Sequence, residues 1–311
     1  MVVGGSTGGL PTYGSETRLT KAVRLDSPTG NECPSTGLYP YAVQLATSSV
    51  VNGSAVVCGG YSSIILGTCS MYDGTLGSWG PFPSLITARE GGAAVQLEGN
   101  RFWVTGGKVS ASGEVVSHTE FYSPTQDIFV AGPQLPLPMT RHSLAALNHT
   151  HIVMSGGIFE IDNPVEVTNR VFLLKPDTEQ VAELAGLNQA RYGHVCGAVQ
   201  HEQQGLEVVC AGGFGSDSEI LDTVEILNLD SGVWRSGPGL LGGARAGMAS
   251  VPFGDSFLLV GGLNAAEEAL ADILEYDGTA ESWISRPESI GSGRSHMAAV
   301  LVDQDSMITC P

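Results

Sequence analysis

Three sets of residues in this 311-residue chain have types and spacings that could do chemistry. Cysteines stand at Cys33, Cys58, Cys69, Cys196, Cys210 and Cys310, an even number, and no two have the Cys-x-x-Cys spacing that often holds zinc. They offer disulfide formation, with six small buried thiols as the plainer alternative. Arg89, Arg141, Arg191, Arg245 and Arg294 each precede a run of small residues. Guanidinium groups gathered round one axis would fork onto carboxylates; repeated once per unit of a repeating chain, they more simply brace one unit against the next. His142, His194 and His296 lie within three residues of these arginines, and converging imidazoles suit a transition metal. Their offsets from the arginines differ, however, so no metal, cofactor or catalytic residue is expected. Gly-x-Ser-x-Gly, His-Glu-x-x-His, phosphate-loop and EF-hand patterns are absent from the sequence.

Acids outnumber bases 32 to 14, for a formal charge of −18. With no basic stripe to neutralise phosphates, nucleic acid and anionic membrane surfaces are poor candidate partners. The longest apolar stretches, such as 257–263, fall far short of the roughly 20 residues that span a bilayer, so membrane insertion is not expected either. Apolar residues make up 42 % and charged residues 15 %, which rules out both a disordered chain and a coiled coil.

The elements that must position these residues repeat. Gly-Gly pairs preceded by short apolar runs occur at Gly4, Gly59, Gly106, Gly156, Gly212 and Gly261, a period near fifty. One copy reads Arg89-Glu-Gly-Gly-Ala-Ala-Val-Gln-Leu, a turn at Gly99-Asn100, Phe-Trp-Val-Thr-Gly-Gly107, then Thr119-Glu-Phe-Tyr-Ser, then Phe129. Four short strands per fifty residues, rich in β-branched and aromatic residues, describe antiparallel sheet. A unit this small cannot bury its faces alone, so the copies must stack, and a closed ring leaves no face exposed. The expectation is a six-bladed β-propeller forming a single domain over 1–311. Innermost strands are expected at 41–47, 91–97, 143–147, 194–199, 247–251 and 295–302. The tails at 1–5 and 295–302 would complete one blade together. Segment 307–310 is a surplus strand and leaves seven blades as the alternative.

Tyr72-Asp73 followed by Trp79, and Tyr276-Asp277 followed by Trp283, with Leu229-Asp230 and Trp234 as a shorter version, complete a Gly-Gly, Tyr-Asp, Trp signature. By these motifs the chain resembles the kelch-repeat family over essentially its whole length. Phe129 and Val181 replace Trp in two copies, and Asp26 with Cys33 stands in the first. The resemblance implies a kelch-type propeller. It also implies alternative roles. Copper-radical oxidases of this superfamily use two His, two Tyr and a Tyr–Cys crosslink, for which Tyr41, Tyr192 and His194 or His296 would have to serve; sugar-modifying relatives exist as well. Kelch adaptors of cullin ligases form an acidic-peptide pocket from extra arginines near the first strand, where this chain has Gly91, Ser143, Gly193, Gly247 and His296.

On the blade scheme, Cys196 and Cys210 flank a hairpin turn, Cys58 and Cys69 sit on consecutive strands, and Cys33 with Cys310 would clamp the ring where it closes. Asn52-Gly-Ser and Asn148-His-Thr are N-glycosylation sequons, both at turns between first and second strands. Together they point to an oxidising, extracellular compartment. The opening Met1-Val-Val-Gly-Gly lacks the regions of a signal peptide, so the secreted reading expects a mature or excised portion. Connections between second and third strands, at 6–19, 108–116, 158–168, 214–221 and 263–270, should emerge on one face. They carry Glu16, Glu114, Glu160, Asp162, Glu166, Asp217, Glu219, Glu267 and Glu268, and loops on a rigid scaffold are the usual seat of recognition. The expected function is an extracellular, non-catalytic binding or assembly module that uses this face to recognise a protein or glycan, self-association included; its acidity suits a cationic or calcium-bridged partner. The kelch-type enzyme and an intracellular adaptor are the alternatives.

Overall fold

The computed structural model describes residues 1–7, 20–21, 37–109, 113–160, 165–201 and 205–302. Cys33, Cys310, Asp26 and the segment 307–310 lie outside these residues, as do parts of three of the loops. Among the described residues there are two short 3₁₀ turns and otherwise strands. Five sheets have four antiparallel strands in simple up-and-down order; one runs Ala93–Gln96, Phe102–Thr105, Thr119–Ser123 and Ile128–Ala131 from inside to outside. A further sheet pairs Val2–Val3 with Thr20–Lys21 on one side and Ala298–Ala299 on the other, so the two ends of the described chain share it.

The innermost strands touch one another in a closed circuit. Thr47–Val51 contacts Ala93–Gln96, and the circuit continues through Ser143–Ala146, Val195–His201, Ala249–Phe253 and Ala298–Ala299 back to Thr47–Val51. Sheets arranged in this way pack face to face, so second strands are covered on both sides. Phe102–Thr105 and Ile152–Ser155 are accordingly buried at every residue, which is why they read as unbroken apolar runs instead of alternating. The core lies in slabs between neighbouring sheets: Val209 and Ile226 of one pack on Phe257, Leu274 and Trp283 of the next.

The Gly-Gly pairs end the second strands. Their left-handed backbones (φ 62° and 97° at Gly212 and Gly213) turn the chain where the next unit presses in, and a Cβ on Gly212 would lie 2.2 Å from the carbonyl oxygen of Arg245. Gly212→Ala is therefore expected to cost about 2–3 kcal/mol, backbone strain and overpacking combined, read from the urea midpoint; a neutral result would contradict this packing. The aromatic signature closes the outer hairpins. Tyr72 pairs across strands with Trp79 and Tyr276 with Trp283, rings 5.3 and 5.1 Å apart, while Asp73 and Asp277 accept two backbone N–H bonds each in the turn between. Trp234 pairs with Leu227, not Leu229, and Asn228 takes the turn-capping place assigned by sequence to Asp230. Trp234 and Trp283 donate their indole N–H to carbonyls of the preceding unit, at Ala185 and Pro238.

Two further departures from sequence have local causes. The segment expected as a strand at 41–47 gives way to Thr47–Val51, because Leu45 adopts a left-handed backbone, φ 56°. The expected loop at 158–168 is partly a hairpin, Ile158–Glu160 on Val165–Val167, in a stretch rich in β-branched residues. Cys58 bonds Cys69 and Cys196 bonds Cys210; each couple is directly opposed across adjacent strands.

Candidate binding face

At the end of the molecule bearing the Gly-Gly pairs, six residues close a hydrogen-bonded annulus. Leu45, Gly91, Arg141, Gly193, Gly247 and His296 all have left-handed backbones. Each donates its N–H to the carbonyl of the one before it, at 2.7–2.9 Å, Leu45 completing the circle on His296. Three of the six are glycines, for which this conformation costs little. Leu45 (φ 56°), Arg141 (φ 54°) and His296 (φ 54°) adopt it with a side chain attached, at a cost of order 1 kcal/mol or more each.

The annulus separates two classes of arginine. Two residues before each of its members lies a position whose carbonyl accepts the N–H of the second glycine of the preceding unit: Val43 from Gly5, Arg89 from Gly60, Met139 from Gly107, Arg191 from Gly157, Arg245 from Gly213 and Arg294 from Gly262. The four arginines in this set are at most 2 % exposed. Arg89 donates to the Gly106 carbonyl and pairs with Glu120 at 2.6 Å; Arg191 does the same with Gly212 and Glu225 at 2.7 Å. Arg245 forks onto Asp272, and Arg294 reaches the Gly4 carbonyl. Arg141, grouped with them by sequence, is not their equivalent; Met139 is, and Val43 fills the sixth place. Residue type alone concealed this, although Met139 stands 17 residues before its Gly-Gly, as Arg89 does.

Arg141 is free of that bracing duty. Its side chain is half-buried, makes no hydrogen bond or ion pair among the described residues, and lies 5.9 Å over the Tyr192 ring. Tyr192 stacks on Phe214 at 5.0 Å and Phe214 on His296 at 6.3 Å, so a guanidinium and three rings span the mouth. His296 bonds Ser295 through Nδ1, and its buried Nε2 has no partner. Burial, reinforced by the Arg141 charge, pushes its pKa down to about 3, so the ring is neutral. Glu90 also lies close enough to feel Arg141: burial raises its pKa, Lys108 and Arg141 oppose the rise, and Lys108 Nζ stands 3.6 Å from its carboxylate. Arg141 and His296 line a cavity of about 210 Å3, and a second of about 610 Å3 occupies the channel between the innermost strands.

The other residues with chemical potential are dispersed. His142 and His194 occupy equivalent places in consecutive units, each with Nε2 on a hydroxyl just before the preceding Gly-Gly: Thr105 at 2.8 Å and Ser155 at 3.1 Å. They clasp neighbouring sheets. Tyr41 packs edge-on against Tyr39, away from the stack in which Phe214 joins Tyr192 and His296. Among the described residues, one group of three His, Cys, Asp or Glu side chains could hold a metal: His194, Cys196 and Cys210. Asn52 and Asn148 are exposed, at the far ends of strands that begin at the annulus, and hence opposite the mouth. Asp217, Glu219, Glu267 and Glu268 are exposed on loops that follow Gly-Gly pairs, around the mouth.

Residues 203–241 match the kelch motif. One stretch of this propeller thus carries the kelch motif. It is similar to the solved structure of YjhT, with a TM-score of 0.75 at 15 % identity, over 92 % of this chain and 97 % of that one. The propeller's matched stretch holds the Gly212-Gly213 pair and the Leu227–Trp234 hairpin, so the motif falls on the parts of a blade that contact its neighbours. No helix among the described residues is long and apolar enough to cross a membrane.

Proposed function

We propose that this propeller has six blades, with the chain ends sharing one of them in a single domain, and that it is an extracellular, non-catalytic binding module. Its recognition face is the mouth ringed by the Gly-Gly loops. The observation that carries this reading is Arg141: a strained, unpaired guanidinium at a place where three other blades have glycine. Backbone strain retained at such a site is a pointer to use. Its charge, the Tyr192 ring beneath it and the neutral His296 beside it suit a carboxylate presented by a protein or glycan partner. The surrounding acids restrict entry to a ligand that brings its anion to the centre and cations to the rim.

Two disulfides support an oxidising compartment. Asn148 Oδ1 accepts hydrogen bonds from the N–H and hydroxyl of Thr150, so the sequon is a formed turn at an exposed residue. Glycans on Asn52 and Asn148 would cover the end opposite the mouth and leave the mouth open. Cys33 with Cys310 completes the bridging scheme. Intact mass before and after reduction and deglycosylation tests compartment and bridges together; six free thiols and no glycan would overturn both. For recognition, a glycan and peptide array is probed with the wild type and with Arg141→Met. Carboxylate-bearing features should lose about tenfold or more in signal, in line with a charge-assisted pair worth about 1.5–3 kcal/mol, and equal binding by the two proteins would sink the assignment of the mouth.

A further inference from the structure

The Cys196–Cys210 bridge has a third potential ligand beside it. Cys196 and Cys210 face each other across the innermost hairpin of their blade with Cα atoms 4.1 Å apart. A ring nitrogen of His194 and the two sulfurs all lie within 4.8 Å of one another, at residues 5, 3 and 0 % exposed. Ser155 Oγ sits in their midst, 3.1 Å from His194 Nε2, 3.0 Å from Cys196 Sγ and 3.6 Å from Cys210 Sγ. His194 Nδ1 is buried without a partner. Burial also holds the imidazole neutral, the form that ligates metals. The cluster is reachable, because His194 lines the cavity at the mouth and Cys196 the larger cavity of the channel.

We propose that reduction of the Cys196–Cys210 disulfide converts this cluster into a Cys2His site for zinc or another thiophilic divalent cation, with Ser155 or water in the fourth position. The reductant is a dithiol. It delivers two electrons and two protons to the S–S bond and becomes a cyclic disulfide itself, leaving two thiols; the incoming cation then displaces both thiol protons. Zinc bonds of about 2.3 Å to sulfur and 2.0–2.1 Å to nitrogen require ligand atoms spaced within the spread the cluster already has. Breaking the S–S bond frees both cysteine side chains to rotate into that spacing. The other described bridge, Cys58–Cys69, belongs to no such group among the described residues and is the internal control.

The whole chain, reduced under native conditions with a dithiol that is then removed by anaerobic gel filtration, is titrated with Co2+ and followed by its thiolate-to-cobalt absorption. One equivalent should bind, zinc should displace it, and oxidised protein should show none. His194→Ala should weaken cobalt binding by about tenfold or more and Cys210→Ser should abolish the charge-transfer band, whereas Cys58→Ser with Cys69→Ser should leave it intact. If the reduced chain loses its native near-ultraviolet dichroism, added zinc should restore it. Folded reduced protein that takes up no cobalt, binding indifferent to His194→Ala, or unfolded reduced protein that zinc does not rescue would each overturn the proposal.

Discussion

Lowering the pH from 7 to 4 is expected to remove about 6 kcal/mol of stability through His142 and His296 alone. Burial pushes His142 down to about 4 and His296 to about 3, while both titrate near 6.5 in the unfolded chain. A buried neutral histidine contributes fully above its unfolded pKa. As the pH falls below that value the unfolded chain takes up a proton that the folded one refuses, so the contribution drains at about 1.4 kcal/mol per pH unit per group until the folded pKa is reached. At pH 4 the sum is about 3 kcal/mol for each. Glu90, raised by burial, acts in the opposite sense, because protonating it relieves a desolvated charge; being one group against two, it offsets only part. His194, likewise held neutral by burial, adds to the loss in the same sense, so the urea midpoint should fall steeply between pH 6 and 4.5, with a slope of at least two protons. His142→Gln, which can still reach Thr105, should reduce that slope by about one proton. A midpoint flat across this range would show that the imidazoles are hydrated and not buried between blades.

Legibility in the sequence followed how far each feature is dictated by the backbone. The Gly-Gly pairs and the Tyr–Trp hairpins could be read directly, since no side chain fits against the Arg245 carbonyl at Gly212 and a large aromatic is needed where Trp283 reaches Pro238. What escaped was set by φ and by register. Arg141 and Arg191 look alike in a string of letters, yet one has φ 54° and faces the mouth while the other is buried beneath it. Only the hydrogen-bonded annulus tells them apart. His142 and His194 carry different offsets from the nearest arginine and are nonetheless equivalent, because the arginine used as the ruler was the wrong one. Cys196 and Cys210, fourteen residues apart, match no metal-ligand spacing; hairpin register puts them face to face with His194 alongside. Periodicity thus located the scaffold. The residues that break it, at the mouth and along the channel wall, are those with chemistry left over.

Replacing Arg191 by methionine should cost about 3–5 kcal/mol, although Met139 fills the equivalent place in the preceding blade without harm. The difference is the partner. Arg191 is fully buried and gives hydrogen bonds to the Gly212 and Thr223 carbonyls and to Glu225. Glu225, 4 % exposed, in turn accepts N–H bonds from Asn188 and Gln189 at the start of the same blade. Removing the cation strands a carboxylate in a low dielectric, the costly half of breaking a buried pair; the apolar methionine recovers some packing but no hydrogen bond. Glu225→Gln alone keeps oxygen and size and should cost less. In the Arg191→Met background it should be far milder than in the wild type, because no charge is then left buried. A double-mutant cycle on urea midpoints measures this coupling, expected at about 2 kcal/mol or more. Additive losses would mean that the pair is solvated, and the four bracing arginines would then be packing residues whose charge is incidental to the closure of the ring.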